Sequence, residues 1–180
     1  MVRIIQLNPE QWAKLPYKST KISKGRTKGE IIGLLEDNGI GDYQWTKIGQ
    51  SETLAFRMAV IHEGVEYDLG FKFEPAMLYK RVGRKTNYRY ELQEAISWRM
   101  FYWLLKSKLE AVQFGLEEAY QVLASNIINR LPDGSETTLG ESLAQMLKTG
   151  ELAGPALEHK PKESEEIPRV IEADYKVQEE

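Results

Sequence analysis

The sequence predicts one α+β domain in the order α-β-β-β-α-α-α: a helix, a three-stranded antiparallel meander, a long two-faced helix, then two shorter helices. Three observations predict it. Two adjacent stretches alternate apolar and polar residues with a period of two. Short Gly- and Ser-containing turns join them. A later stretch carries apolar residues at helical spacing on two sides.

The first helix follows Thr27 and Glu30, which have capping-box spacing before Ile31, Ile32, Leu34 and Leu35. Asn38-Gly39 stops it. Residues 42–48 form a short mixed strand. Residues 53–62 place Leu54, Phe56, Met58 and Val60 on one face, and residues 65–73 do the same with Val65, Tyr67, Leu69, Phe71 and Phe73. Short connections imply antiparallel neighbours, with Leu54, Phe56, Met58, Tyr67, Leu69 and Phe71 facing the helices.

The long helix is expected over residues 88–114, about 40 Å at 1.5 Å per residue. Ala95, Trp98, Phe101, Tyr102, Leu105, Leu109 and Val112 lie on one side. Leu92, Ile96, Met100, Trp103 and Leu104 lie on the other, and that second face needs another helix or another chain. Met100, Trp103 and Leu104 are therefore candidates for a homodimer contact. A third helix is expected over 117–130. A Leu-Pro-Asp-Gly turn follows at 131–134, then a fourth helix opened by Thr138 and Glu141, with Leu139, Leu143, Met146 and Leu147 on its apolar side.

Three segments emerge: a basic N-terminal arm at 1–27, the domain at 28–154, and an acidic tail at 155–180. Residues 158–180 hold eight acids and four bases, a net −4 within a whole-chain charge of −3. Such a segment has too little to bury and is expected to be disordered.

Composition excludes much chemistry. The chain has no cysteine and two histidines, His62 and His159, so thiolate and multi-histidine metal sites are not expected. No apolar run approaches the roughly 20 residues of a membrane span, and the N-terminus is too polar for a signal peptide, so a cytoplasmic location is expected. Lys24-Gly25-Arg26-Thr27-Lys28-Gly29 lacks phosphate-loop spacing and follows no hydrophobic strand. Glu66, Asp68, Lys72 and Glu74 lack the acid-x-lysine spacing of a nuclease strand. No catalytic constellation, metal site or cofactor is expected, and the chain reads as non-enzymatic.

The functional clue is the distribution of charge. Residues 11–29 contain Lys14, Lys18, Lys21, Lys24, Arg26 and Lys28 and no acid. Residues 75–90 contain Lys80, Arg81, Arg84, Lys85 and Arg89, again without an acid, interleaved with Tyr79, Tyr88 and Tyr90. Cations neutralise phosphates, and aromatic rings stack on unpaired bases. Both segments are expected to lead into helix N-termini at one end of the domain, where partial positive charge adds to theirs. The expected function is nucleic-acid binding without strong sequence specificity. Lys18, Lys21, Lys24, Arg26, Lys28, Lys80, Arg81, Arg84, Lys85 and Arg89 are its phosphate contacts, and Tyr79 and Tyr88, with Tyr90, its stacking candidates. The alternative is a protein-interaction module.

Trp98-Arg99, the run from Leu104 to Val112, Gly115 and Leu131-Pro132-Asp133-Gly134 together resemble uncharacterised small proteins of phages and prokaryotic mobile elements. The resemblance covers about residues 28–150. It implies a phage or provirus context, hence an inhibitor of a host defence complex as one form of the interaction module, and it implies no known activity.

Overall fold

The computed structural model describes residues 3–49, 51–84 and 86–151. It is a mixed α+β architecture with more strands than the sequence pattern suggests. The chain opens with β1 (Ile4–Leu7) and a short helix, α1 (Pro9–Lys14), in the segment expected to be an arm. Local chemistry accounts for α1. Asn8 accepts from the Gln11 backbone N–H at 2.8 Å, Gln11 accepts from the Asn8 N–H at 3.0 Å, and Pro9 occupies the first turn.

Helix α2 (Lys24–Asp37) starts earlier than Thr27. Ser23 is its cap, accepting from the Arg26 N–H at 3.3 Å. Thr27 is instead an interior, fully buried residue. The antiparallel meander of β2 (Tyr43–Ile48), β3 (Ser51–His62) and β4 (Val65–Phe73) is present in the expected order. Its register pairs Tyr43 with Phe56, Phe56 with Phe71, and Leu54 with Phe73, which stacks the apolar face. Leu54, Phe56 and Phe71 are buried, and Met58 and Leu69 pack at the margin of the core. Tyr67 differs: it is 46% exposed, with Val65 also exposed, so the distal part of β4 lies beyond the cover of the core.

The larger departure follows β4. Residues expected as a loop and the first turn of the long helix form β5 (Met77–Arg84) and β6 (Asn87–Leu92), an antiparallel hairpin. Strand β1 pairs in parallel with β5, from Ile4 opposite Met77 to Leu7 opposite Lys80. Pairing with β5 satisfies the backbone groups along one edge of 87–92, and alternating Tyr88 and Tyr90 suit a strand. The long helix, α3 (Glu94–Gln113), begins only where helical spacing becomes continuous at Ile96. Ser97 ties it to the hairpin: its hydroxyl donates to the Gln93 carbonyl at 2.8 Å and accepts from the Leu78 N–H at 2.9 Å.

The two apolar faces of α3 have two different partners. Trp98, Phe101, Leu105 and Leu109 enter the main core with Ile31, Leu35, Phe71 and Phe73. Ile96 joins a second cluster with Leu7 and Leu78, flanked by Trp12, Leu15 and Met100. Tyr17 stacks on Trp103. The N-terminal segment therefore covers the second face, Met100 and Trp103 included, while Leu104 stays 53% exposed.

A full helix over 117–130 does not form. Helix α4 (Ala119–Val122) is one turn, and a 3-10 turn at Ala124–Asn126 leads into β7 (Ile128–Arg130), which pairs with β8 (Glu136–Thr138) across the expected Pro-Asp-Gly turn. The β-branched pair Ile127-Ile128 favours extended backbone. Ile127 bridges to Phe71, and the Asn126 amide donates to the Lys72 carbonyl at 3.0 Å, so this piece docks on the free edge of β4. Helix α5 (Leu139–Thr149) has the expected capping box, with Thr138 accepting from the Glu141 N–H. Its side chains Leu143 and Leu147 are exposed. The acidic tail lies outside the described residues.

Candidate nucleic-acid interface

The residues expected to meet nucleic acid divide by what already holds them. Lys24 and Lys28 stand one turn apart at the start of α2 and both donate to the carboxylate of Glu52 on β3. Glu52 is only 6% exposed. Lys24 also reaches Glu94, the first residue of α3, at 3.0 Å. The N-termini of α2 and α3 thus lie side by side. The two ammonium groups sit against indole faces: Lys28 is 4.6 Å from the Trp45 ring centre and 4.9 Å from that of Trp98, and Lys24 is 5.1 Å from Trp98.

Burial alone would push the Glu52 pKa up, but the hydrogen bonds and charges of the two lysines outweigh it and hold the group below the ordinary carboxylate value. Burial likewise opposes charge on Lys24, and the bonds to Glu52 and Glu94 raise its pKa above the ordinary lysine value. Removing one partner of a buried pair costs on the order of 3–5 kcal/mol, whereas an exposed pair is worth about 0–1 kcal/mol. Lys24 and Lys28 are therefore structural cations, committed to Glu52.

Arg26 is exposed and bonds Glu30 at 3.3 Å within its own helix. Lys18 is exposed and donates to the Ala13 carbonyl, and Lys21 is exposed. Lys80 projects toward α1, 4.7 Å above the ring of Trp12. Arg99, which the charge pattern did not single out, pairs with Glu30 and lies over Tyr102 at 4.5 Å and Trp103 at 5.3 Å.

The rest of the set belongs to the β5–β6 hairpin. Pairing with β1 stops at Lys80, so from Arg81 to Tyr90 the hairpin is a two-stranded ribbon. Arg84, Thr86, Asn87, Tyr88 and Arg89 are exposed along it; Lys85 lies outside the described residues. Cross-strand register places Arg81 opposite Tyr90, Gly83 opposite Tyr88, and Val82 opposite Arg89. Tyr79, Arg81, Tyr88 and Tyr90 consequently share one face, while Lys80, Val82, Arg89 and Glu91 share the other. Contacts agree: the Arg81 guanidinium lies 3.7 Å from the Tyr88 ring centre, and the Tyr88 and Tyr90 rings meet edge to face at 5.8 Å. Arg89 bonds Glu91 through two nitrogens at 2.9 and 2.7 Å, but remains 79% exposed.

The charge-based reading did not include the groups that hold these cations, among them Glu52, Glu94, Glu30, Trp12 and Glu91. Glu52 was findable, because period-2 alternation carried back from Phe56 and Leu54 puts residue 52 on the buried face. Among the described residues no cluster of three or more His, Cys, Asp or Glu could hold a metal ion, and no helix is long and apolar enough to cross a membrane. No family model, curated protein or solved structure matches the chain.

Proposed function

We propose that this protein is a non-enzymatic nucleic-acid-binding accessory protein that meets phosphates with the β5–β6 ribbon, without strong sequence specificity. One observation carries the reading. Beyond the last pair with β1 the ribbon presents Arg84 and Arg89 to solvent, in a segment (75–90) that contains five cations and no acid. The Arg89–Glu91 pair is exposed and worth too little to withhold Arg89 from a phosphate. Lys18 and Lys21 are further exposed cations, in the N-terminal segment, while Lys24 and Lys28 drop out of the contact set because Glu52 holds them.

The test is a salt series of oligonucleotide binding by the wild type and by the Arg84→Glu, Arg89→Glu double variant. Wild-type affinity is expected to fall log-linearly with salt, by a slope of about −0.7 per single-strand phosphate contact or −0.9 per duplex contact. The double variant is expected to lose most of the binding and about two contacts' worth of slope. Absence of wild-type binding at low salt defeats the reading. A protein-interaction module is the second reading, favoured by the exposed Leu143 and Leu147 of α5.

A further inference from the structure

We infer that the ribbon selects single-stranded nucleic acid, with unpaired bases stacked on the Tyr88–Tyr90 face; this deepens the nucleic-acid reading and rests on it. The two faces of the ribbon differ in chemistry. The face carrying Lys80 is turned toward α1, where that side chain lies over Trp12, and neighbouring Leu78 enters the cluster with Leu7 and Ile96. The face carrying the tyrosines is the opposite one, so the rings are not there to pack against α1 or the start of α3.

Burial along this face fades toward the ribbon tip. Met77 is buried and Tyr79 and Tyr90 are half-buried, but Tyr88 is 49% exposed. A large aromatic ring that far out contributes little to the core and offers a flat apolar surface to a ligand. Its cross-strand partner is Gly83, which adds no side chain beside the ring. Glycine is also required there by the backbone: φ is +107°, and a Cβ would stand 2.6 Å from the Asn87 carbonyl oxygen. Cationic charge sits at the same spot, since the Arg81 guanidinium lies against Tyr88. A base plane and the phosphate next to it can be met within one side-chain length.

Duplex nucleic acid hides its base faces in the stack and shows only edges and backbone, whereas a single strand presents both base faces and phosphates. The rival geometry is the ribbon entering a major groove, which admits two antiparallel strands. That mode would use the other face, where Arg84 and Arg89 stand with no aromatic ring between Lys80 and Glu91. An exposed ring with a guanidinium against it is the single-strand combination.

The experiment measures fluorescence-anisotropy binding of the full chain to a labelled mixed-sequence 20-mer, single-stranded and as its duplex, at one low salt concentration. Wild type is expected to bind the single strand at least tenfold more tightly. Tyr88→Ala and Tyr90→Ala are each expected to weaken single-strand binding roughly tenfold, within the range for loss of one stacked base, with little change for duplex and in the salt slope. Tyr88→Phe is expected to restore it, because the ring and not the hydroxyl stacks. Circular dichroism melts of each variant verify folding, and the exposed position of Tyr88 makes Tyr88→Ala the variant least able to disturb the core. Equal or tighter duplex binding, or tyrosine variants that leave single-strand affinity unchanged, overturns the single-strand inference and leaves the nucleic-acid reading standing. Binding of neither form overturns both.

Discussion

Tyr17 stacks on Trp103 in an offset, near-parallel arrangement, with ring centres 5.6 Å apart and planes 9° apart. The contact joins the N-terminal segment to the outer face of α3, the face for which the sequence left a partner to be found. Tyr17 holds it from a left-handed backbone conformation, φ 60°, that a non-glycine residue adopts at a cost of about 1–2 kcal/mol.

Two substitutions at Tyr17 separate the stack from the strain. Tyr17→Ala loses the ring and keeps the unfavourable φ; Tyr17→Gly loses the ring and relieves it. Chemical denaturation is expected to show Tyr17→Ala destabilised by about 1–2 kcal/mol and Tyr17→Gly by about 1 kcal/mol less. Equal losses would show that the backbone at 17 relaxes freely.

Oligomeric state follows from the same cover. With Met100 and Trp103 packed by residues of their own chain, a monomer is expected, and Leu104→Glu is expected to leave the sedimentation coefficient unchanged. Trp103→Glu is expected to cost about 3–5 kcal/mol, as for loss of a packed tryptophan. A concentration-dependent dimer that Leu104→Glu dissociates would instead make this face a subunit contact.

Charge reversals distinguish structural from surface cations. Lys24→Glu is expected to destabilise the fold by about 3 kcal/mol or more, because it leaves Glu52 buried beside a like charge. Arg84→Glu, on the exposed ribbon, is expected to shift stability by less than about 0.5 kcal/mol. Thermal melts of the two variants side by side check this. Comparable stability for both would show that Lys28 alone satisfies Glu52.

The Lys24–Glu52 pair also sets a pH window. Glu52 is held below its ordinary value near 4.5, so its contribution is complete above that pH and lost as pH falls through the lower folded value. Glu30 acts in the same direction, chiefly through the hydrogen bond from Arg99, then its charge and that of Arg26, against burial. Lys24 is raised above 10.5, so its contribution is complete below that pH and lost as pH rises through the folded value. Melting temperature against pH is expected to form a plateau with acid and alkaline limbs, and Glu52→Gln is expected to flatten both.

The meander, the stop of α2 at Asn38-Gly39, the Pro-Asp-Gly turn and the Thr138–Glu141 capping box were legible because each is local. Alternation, caps and turn residues act over a few positions, and neighbouring strands follow from short connections. Residues 77–92 were not legible, because Tyr88 and Tyr90 suit a strand or a helix end equally until Met77–Lys80 finds Ile4–Leu7 more than 70 positions away. Residues 127–130 became extended for the same kind of reason, by reaching the edge of β4. The charge pattern grouped cations that the fold separates into a set held by Glu52 and an exposed set. Lys24 and Lys28 look like free cations in sequence, and only the approach of Glu52, 28 and 24 positions away respectively, turns them inward. Local propensity and composition are properties of a segment; pairing, burial and charge neutralisation are properties of which segments meet, and the tertiary structure alone decides that.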